Sequence, residues 1–169
     1  QRIVRIDPQV FGGGQERGLR SGTLNVPGIV GMGRAFELAV ESLSVTTSHM
    51  HHLRTKLWSL LRGYIPSIQL NGPPIDSDSR LPNNLNIRIP GIDGATLLAE
   101  LSRTGVAASS GSACSSEQPR PSHVLRALGL SDDEIRQSVR FGISRMTTLE
   151  EIEFAAERLK LAVQSLGSV

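Results

Sequence analysis

The sequence contains a single cysteine, Cys114, and the residues around it are almost all small. The run reads Ala107-Ala108-Ser109-Ser110-Gly111-Ser112-Ala113-Cys114-Ser115-Ser116. A structural cysteine behaves as a small hydrophobic residue and packs among large apolar side chains, which this run does not contain. Because a thiolate is both a nucleophile and a sulfur carrier, the pattern suits a thiol that reacts with a substrate or a partner. An unreactive thiol in an exposed loop is the alternative.

A second candidate is Arg140, in the segment Val139-Arg140-Phe141-Gly142-Ile143. The alternation of side chains predicts a strand with Val139, Phe141 and Ile143 on one face and Arg140 on the other. An arginine held on a rigid strand is well suited to binding a carboxylate through two parallel hydrogen bonds. A solvated strand face is the alternative interpretation.

A third candidate is the glycine-rich loop at residues 12–23, which begins with three consecutive glycines. Glycines allow backbone N–H groups to turn toward an anion, and Ser21 and Thr23 add hydroxyl donors beside Arg17 and Arg20. The spacing matches neither a Walker loop nor a dinucleotide-binding fingerprint. A glycine-rich turn without a ligand is therefore the alternative.

The histidines give weaker signals. On a helix, His49 and His52 would share a face while His51 would not, and no acidic or cysteine partner stands nearby. This favours a solvated helix face over a metal site. His123 lies nine residues beyond Cys114 and is a possible base for it, although an ordinary role near a helix start is favoured.

The elements that would position these groups alternate along the chain. Apolar residues at steps of three and four predict a long helix over 27–61, with a kink or break at the threonine-rich Ser44–Ser48. Strands are predicted at 68–70, 84–89 and 139–143, and further helices at 93–103, 121–128, from 131, and 148–165. This order predicts an α+β domain in which two or three antiparallel strands are covered by helices.

Composition narrows the function class. The 169 residues carry a net charge of +2, and the arginines are scattered without interleaved aromatic residues, so we expect no nucleic-acid partner. No apolar run approaches the roughly 20 residues of a membrane span, so we expect no membrane partner either. A single cysteine allows no intrachain disulfide, which favours the reducing cytoplasm. Because the chain opens on a strand-like segment without a methionine, we expect it to be part of a longer protein.

Three segments, taken in this order and spacing, carry a specific resemblance. They are the glycine-rich loop at 12–23, the cysteine segment Ser109-Ser110-Gly111-Ser112-Ala113-Cys114-Ser115, and the helix Pro121-Ser122-His123-Val124-Leu125-Arg126-Ala127-Leu128-Gly129. Together they resemble the C-terminal part of a cysteine desulfurase, a pyridoxal-phosphate enzyme of the class-V aminotransferase family that serves iron–sulfur and nitrogenase maturation. The spacing from Cys114 to Pro121 resembles the group with an extended, mobile cysteine loop.

The resemblance implies a domain organisation. It corresponds to the small C-terminal domain of a fold-type-I transferase, with a short antiparallel sheet covered by helices. Residues 1–26 would be the tail of the large cofactor domain, 27–63 a linking helix, and 64–169 the small domain that carries the cysteine loop.

The resemblance also implies roles for individual residues. Cys114 would take the sulfur of L-cysteine as a persulfide and leave L-alanine, and Arg140 would bind the substrate carboxylate. Thr23 would contact the phosphate of pyridoxal 5'-phosphate in the partner subunit of a homodimer. An iron–sulfur scaffold or another sulfur acceptor would receive the sulfur, and in some relatives the cysteine also helps to hold an iron–sulfur cluster.

One departure from the family concerns lysine. The family anchors its cofactor through a lysine in a Ser-His-Lys segment, whereas the two lysines here, Lys56 and Lys160, lie on predicted helices in other contexts. We therefore expect this chain alone to be inactive. The alternatives are a cofactor-free persulfide relay or scaffold-docking module, and an inert α+β fragment with an exposed thiol. The glycine-rich loop favours the enzyme, because a relay needs no phosphate contact.

Overall fold

A computed structural model describes residues 6–110 and 121–167. The contacts divide the chain into two compact units, Gln1–Leu43 and Ser44–Val169. The helices are α1 (Val26–Tyr64), α2 (Gly94–Arg103), α3 (His123–Ala127), α4 (Asp132–Arg136) and α5 (Leu149–Leu166). The strands are β1 (Gln69–Leu70), β2 (Asn84–Arg88) and β3 (Ser138–Gly142), and a short 3-10 helix spans Gln15–Gly18. The predicted division into residues 1–26, 27–63 and 64–169 stays a prediction.

The three strands form one antiparallel sheet in the order β1-β2-β3. Alternation along β2 and β3 gives the sheet two different faces. One face is apolar and buried, with Leu85 opposite Phe141 and Ile87 opposite Val139. The other face carries polar side chains, with Asn86 opposite Arg140. The α+β class with a short antiparallel sheet is thereby confirmed.

The apolar face of the sheet forms one side of the core of the Ser44–Val169 unit. The second half of α1, together with α2 and α5, supplies the other side. The buried helical residues of this core are Leu53, Leu57, Leu61, Leu97, Leu101, Ile152, Ala156, Leu159 and Ala162. Burying each leucine or isoleucine of this set contributes about 1.5–3 kcal/mol, so this layer stabilises the unit that positions β3.

Helix starts follow the capping signals in the sequence. Asp93 caps α2 by accepting hydrogen bonds from the backbone N–H and the hydroxyl of Thr96, and the backbone bond lowers the pKa of the Asp93 carboxyl. Ser131 with Glu134 and Thr148 with Glu151 form capping boxes that open α4 and α5 at the predicted helix starts. These caps satisfy backbone N–H groups that have no partner within the first turn of each helix.

Of the kink or break that we predicted at Ser44–Ser48, the break is wrong, because α1 continues as one helix through those residues. Threonine and serine cost only about 0.7 kcal/mol or less each in a helix interior. Downstream, the helix is held by the buried Leu53, Leu57 and Leu61. His49 adds a side-chain contact, because its Nε2 lies 2.9 Å from the carbonyl oxygen of Thr147. Packing therefore outweighs the weak local preference.

The first half of α1 has a different environment. Its apolar residues recur at helical spacing, but Met32, Phe36, Val40 and Leu43 are all exposed.

Within the ranges 6–110 and 121–167, the structure has no helix that combines the length and apolar character needed to cross a membrane.

Gly94→Ala is expected to destabilise the chain by about 1–3 kcal/mol, the usual cost of overpacking. Gly94 is buried at the start of α2, and a Cβ there would lie 2.7 Å from the carbonyl oxygen of Arg136 and 2.9 Å from that of Ser138. Backbone atoms next to β3 cannot move aside without shifting the strand.

Urea unfolding of the variants measures this effect. Gly63→Ala is the matched control, because Gly63 lies in the last turn of α1 and a Cβ there has no neighbour within 4 Å among the described residues. We expect it to be neutral or to stabilise by up to about 1 kcal/mol. Equal midpoints for the two variants would contradict the steric argument.

Candidate functional site

A pocket of about 290 Å³ lies on the polar face of the sheet. Its floor includes Asn86 and Arg140, which are opposite each other in the β2–β3 register. Leu125 and Ser122, at the start of α3, form one wall, and the segment 71–81 after β1 forms another. The pocket therefore combines an apolar wall with amide, hydroxyl and guanidinium groups.

Arg140 is half-buried on the sheet face opposite Val139 and Phe141, where the sequence pattern placed it. Its Nη2 donates a hydrogen bond of 3.0 Å to the hydroxyl oxygen of Ser109. In the described part of the chain, no acidic side chain forms an ion pair with this guanidinium. A guanidinium has five N–H donors and takes carboxylates in a bidentate manner. The environment therefore suits an external carboxylate.

Ser109 pairs with Arg140 through the main chain as well. The two residues form an isolated antiparallel bridge, in which Ser109 N lies 3.0 Å from Arg140 O and Arg140 N lies 2.7 Å from Ser109 O. The bridge adds one residue to the free edge of β3. Because Ser109 stands five positions before Cys114, this bridge holds the start of the cysteine segment beside Arg140.

The other end of the cysteine segment reaches the same pocket. Ser122 is buried, lines the pocket and caps α3 by accepting a hydrogen bond from the backbone N–H of Leu125. His123 is the first residue of α3 and is exposed. Cys114 itself lies outside the described residues. On one side of the segment, Ser109 is bridged to Arg140, and on the other side Ser122 lines the same pocket as Arg140. Both attachment points of the segment therefore lie at the Arg140 site.

A polar network that the sequence analysis missed supports the floor and one wall of the pocket. The buried Asn71 donates from Nδ2 to Asn86 Oδ1 at 2.7 Å and to Ser138 Oγ at 2.9 Å. Its own Oδ1 accepts from Arg88 at 2.6 Å, and Arg80 donates to its carbonyl oxygen at 2.6 Å. A buried amide satisfied in this way fixes the relative positions of the strands and the following segment.

Arg54 is the second feature that the sequence analysis missed. It projects from α1, is fully buried, and donates to the carbonyl oxygens of Ile75 at 2.6 Å and Leu81 at 2.7 Å. Burial lowers the pKa of Arg54, and burial followed by the charge of Arg54 lowers the pKa of Arg80. The sequence contained one signal of this burial, because Arg54 lies on the same face of the helix as Leu57 and Leu61.

The glycine-rich loop uses several of its candidate anion donors internally. Ser21 is buried and donates to the carbonyl oxygen of Gly13 at 2.6 Å, while Arg20 donates to those of Gly22 and Thr23. The Thr23 side chain is exposed. Thr23 therefore keeps a position from which it can contact a ligand, whereas Ser21 and Arg20 stabilise the loop.

Neither lysine occupies a site that fits pyridoxal phosphate. Lys56 Nζ lies 3.6 Å from a carboxylate oxygen of Glu153, and Lys160 Nζ lies 3.2 Å from one of Glu157 and over the ring of Tyr64. Both amines are therefore paired with glutamates on helices. Among the described residues, no group of three or more His, Cys, Asp or Glu side chains could hold a metal ion.

Comparison with known proteins gives consistent matches. Residues 4–154 match the family model described as Aminotransferase class-V. The cysteine desulfurase IscS of Aeromonas salmonicida is 44% identical over 164 residues, which cover 97% of this chain and 38% of that protein. The chain thus spans about two fifths of the length of the curated relatives that it matches.

Solved structures agree with these matches. A NifS-like protein superposes with a TM-score of 0.80 and 38% identity, covering 98% of this chain and 41% of its own. The NifS-like protein of Rickettsia africae gives a TM-score of 0.79 and 30% identity, covering 95% and 41% of the two chains. The similarity extends over nearly all of this chain and less than half of each relative.

Proposed function

Because this chain belongs to the class-V aminotransferase family, we propose that it is the C-terminal part of a cysteine desulfurase. The complete protein converts L-cysteine to L-alanine and places the sulfur on Cys114 as a persulfide for iron–sulfur cluster assembly. Relatives named cysteine desulfurase IscS, at 41–44% identity along nearly the whole chain, support this proposal. The observation that carries it is that the segment bearing Cys114 is attached at both ends to the pocket of Arg140.

The net reaction assigns a task to each of these two residues. The C–S bond of L-cysteine breaks, an S–S bond forms on the sulfur of Cys114, and a hydrogen replaces sulfur on the substrate carbon. Arg140 binds the substrate carboxylate, which fixes the amino acid by the end that does not react. The thiolate of Cys114 is the acceptor, because a thiolate rather than a thiol is the nucleophile in sulfur transfer.

The complete protein uses pyridoxal 5'-phosphate, the cofactor of this family, and anchors it through a lysine other than Lys56 and Lys160. Thr23 contacts its phosphate across the interface of a homodimer, and its exposed side chain supports this role. An iron–sulfur scaffold or another acceptor protein in the cytoplasm takes the persulfide sulfur, and Cys114 is a possible ligand of the assembling cluster. We infer that this chain alone releases no alanine, because Lys56 and Lys160 both lie on helices, outside a Ser-His-Lys segment like the one that anchors the cofactor of this family.

Arg140→Ala in the complete protein is expected to raise the KM for L-cysteine by about tenfold to a hundredfold, as for the loss of a hydrogen bond to a charged group. The cofactor absorbance should not change, because Arg140 binds the substrate. Steady-state alanine release measures the KM for L-cysteine, and the absorbance spectrum reports on the bound cofactor. Arg103→Ala is the matched control, since Arg103 is exposed on α2 and paired with Glu100. An unchanged KM in Arg140→Ala would remove this residue from the substrate site.

A cofactor-free persulfide relay is the second candidate, and the paired state of Lys56 and Lys160 is the observation that favours it. The two candidates differ in the source of the sulfur. A desulfurase loads Cys114 from L-cysteine and releases one alanine for each sulfur. A relay loads Cys114 from an added persulfide donor and releases no alanine from L-cysteine.

A further inference from the structure

We propose that Ser109 is a positioning residue that holds the guanidinium of Arg140 in the orientation required for the substrate carboxylate. This inference rests on the proposed function, because it assigns Ser109 a role only if Arg140 binds the substrate. The contact that carries it is the 3.0 Å hydrogen bond from Arg140 Nη2 to the Ser109 hydroxyl oxygen.

The main-chain bridge makes this contact a fixed one. Two backbone hydrogen bonds, of 2.7 and 3.0 Å, tie Ser109 to Arg140. The hydroxyl therefore lies at a set place relative to the strand that carries the arginine. An arginine side chain has several rotatable bonds. A fixed acceptor near its end restricts its orientation before a ligand binds, so less conformational entropy is lost on binding. Both side chains are half-buried, which excludes part of the competing water.

The geometry leaves capacity for the substrate. One hydrogen bond to Ser109 uses one of the five N–H donors of the guanidinium, and a bidentate carboxylate needs two more. The neighbouring pocket residues Asn84, Asn86 and Ser122 are uncharged. Among the described residues, Ser109 thus orients the guanidinium without neutralising it, whereas an aspartate in the same place would compete with the substrate.

The position of Ser109 in the chain adds a link to the nucleophile. Ser109 stands five residues before Cys114. The residue that orients the carboxylate-binding group therefore belongs to the segment that carries the acceptor thiol. Ser109 thereby ties the position of the substrate to the point where the cysteine segment leaves the sheet.

The test uses the complete protein with its cofactor and measures alanine release against L-cysteine concentration. Ser109→Ala is expected to raise KM by about five- to tenfold and to leave kcat within about twofold, as for one lost hydrogen bond to a charged group. The backbone bridge survives this change, because it uses main-chain atoms only. Ser110→Ala is the neighbouring control, since the Ser110 side chain is exposed and does not line the pocket.

Threonine and valine have nearly the same shape, so comparing them at position 109 separates the effect of the hydroxyl from any effect on folding. Ser109→Thr keeps the acceptor and is expected to retain a KM close to that of the parent, whereas Ser109→Val lacks it and should behave like Ser109→Ala. Equal KM values for the threonine and valine variants would overturn the proposal.

A double-mutant cycle separates positioning from a merely structural role. In an Arg140→Ala background, Ser109→Ala should raise KM no further, because the group that it orients is absent. Independent, multiplicative effects would overturn the inference. If Arg140→Ala itself leaves KM unchanged, the proposed function of Arg140 fails. If Arg140→Ala raises KM and Ser109→Ala does not, only the role of Ser109 fails.

Discussion

Cys114→Ser in the complete protein is expected to abolish alanine release from L-cysteine and persulfide formation, while the absorbance of the bound cofactor stays intact. A serine hydroxyl is far less acidic than a thiol and does not accept sulfur as a persulfide, so the change removes the acceptor. The cofactor spectrum should not change, because Cys114 acts on the substrate sulfur. This chain offers no substitute thiol, since Cys114 is its only cysteine.

Two measurements check the prediction. Alanine release is followed with L-cysteine as the substrate, and mass spectrometry of the intact protein detects the gain of one sulfur atom. Ser115→Ala is the matched control, because it changes the neighbouring side chain and leaves the thiol in place. Sulfur transfer that survives in Cys114→Ser would show that another group accepts the sulfur.

Much of the fold could be predicted because its signals are local. The capping boxes at Ser131 and Thr148 place helix starts within a few residues. The alternation around Arg140 separates an apolar strand face from a polar one, which determines where the arginine lies. The long helix α1 was visible in its apolar periodicity, although weak propensity at Ser44–Ser48 falsely indicated a break.

The candidate site depends on contacts that no local pattern encodes. Ser109 and Arg140 are 31 residues apart and form a single bridge, which carries no strand signature on the Ser109 side. Asn71 reaches Ser138 across 67 residues through a side-chain bond. Such pairings follow from the packing of the whole unit. The role of Cys114 came from the family resemblance, since the small neighbours alone favour an unreactive thiol in an exposed loop over a reactive one.

Arg54→Met is expected to destabilise the chain by about 3 kcal/mol or more, although methionine fills a similar length of the helix face. Arg54 is fully buried, and its guanidinium donates to the carbonyl oxygens of Ile75 and Leu81. Loss of the donors leaves both oxygens without these partners, at a cost of about 1–3 kcal/mol for each buried group. Urea unfolding of the variants measures the change in the free energy of unfolding.

Arg62→Ala is the control on the same helix. Arg62 is exposed and lies over the ring of Trp58 at 5.8 Å from its centroid, so its loss should change the stability by about 0.5–1 kcal/mol at most. Arg54→Lys keeps the charge with a shorter reach and should fall between the parent and Arg54→Met. An Arg54→Met variant as stable as the parent would show that the two carbonyl bonds contribute little.

Arg54→Met should also alter the pocket beside Arg140. Arg54 binds the carbonyl oxygens of Ile75 and Leu81, and the segment between them includes Arg80. Arg80 and Leu81 both line the cavity beside Arg140. Burying a guanidinium is costly, and burial lowers the pKa of Arg54 although the charge of Asp76 opposes this shift. The hydrogen bonds of Arg54 offset this cost, and they fix the pocket wall formed by Arg80 and Leu81 to α1. In the complete protein, Arg54→Met should therefore raise the KM for L-cysteine at temperatures well below unfolding, whereas Arg62→Ala should not. An unchanged KM would confine Arg54 to a role in stability.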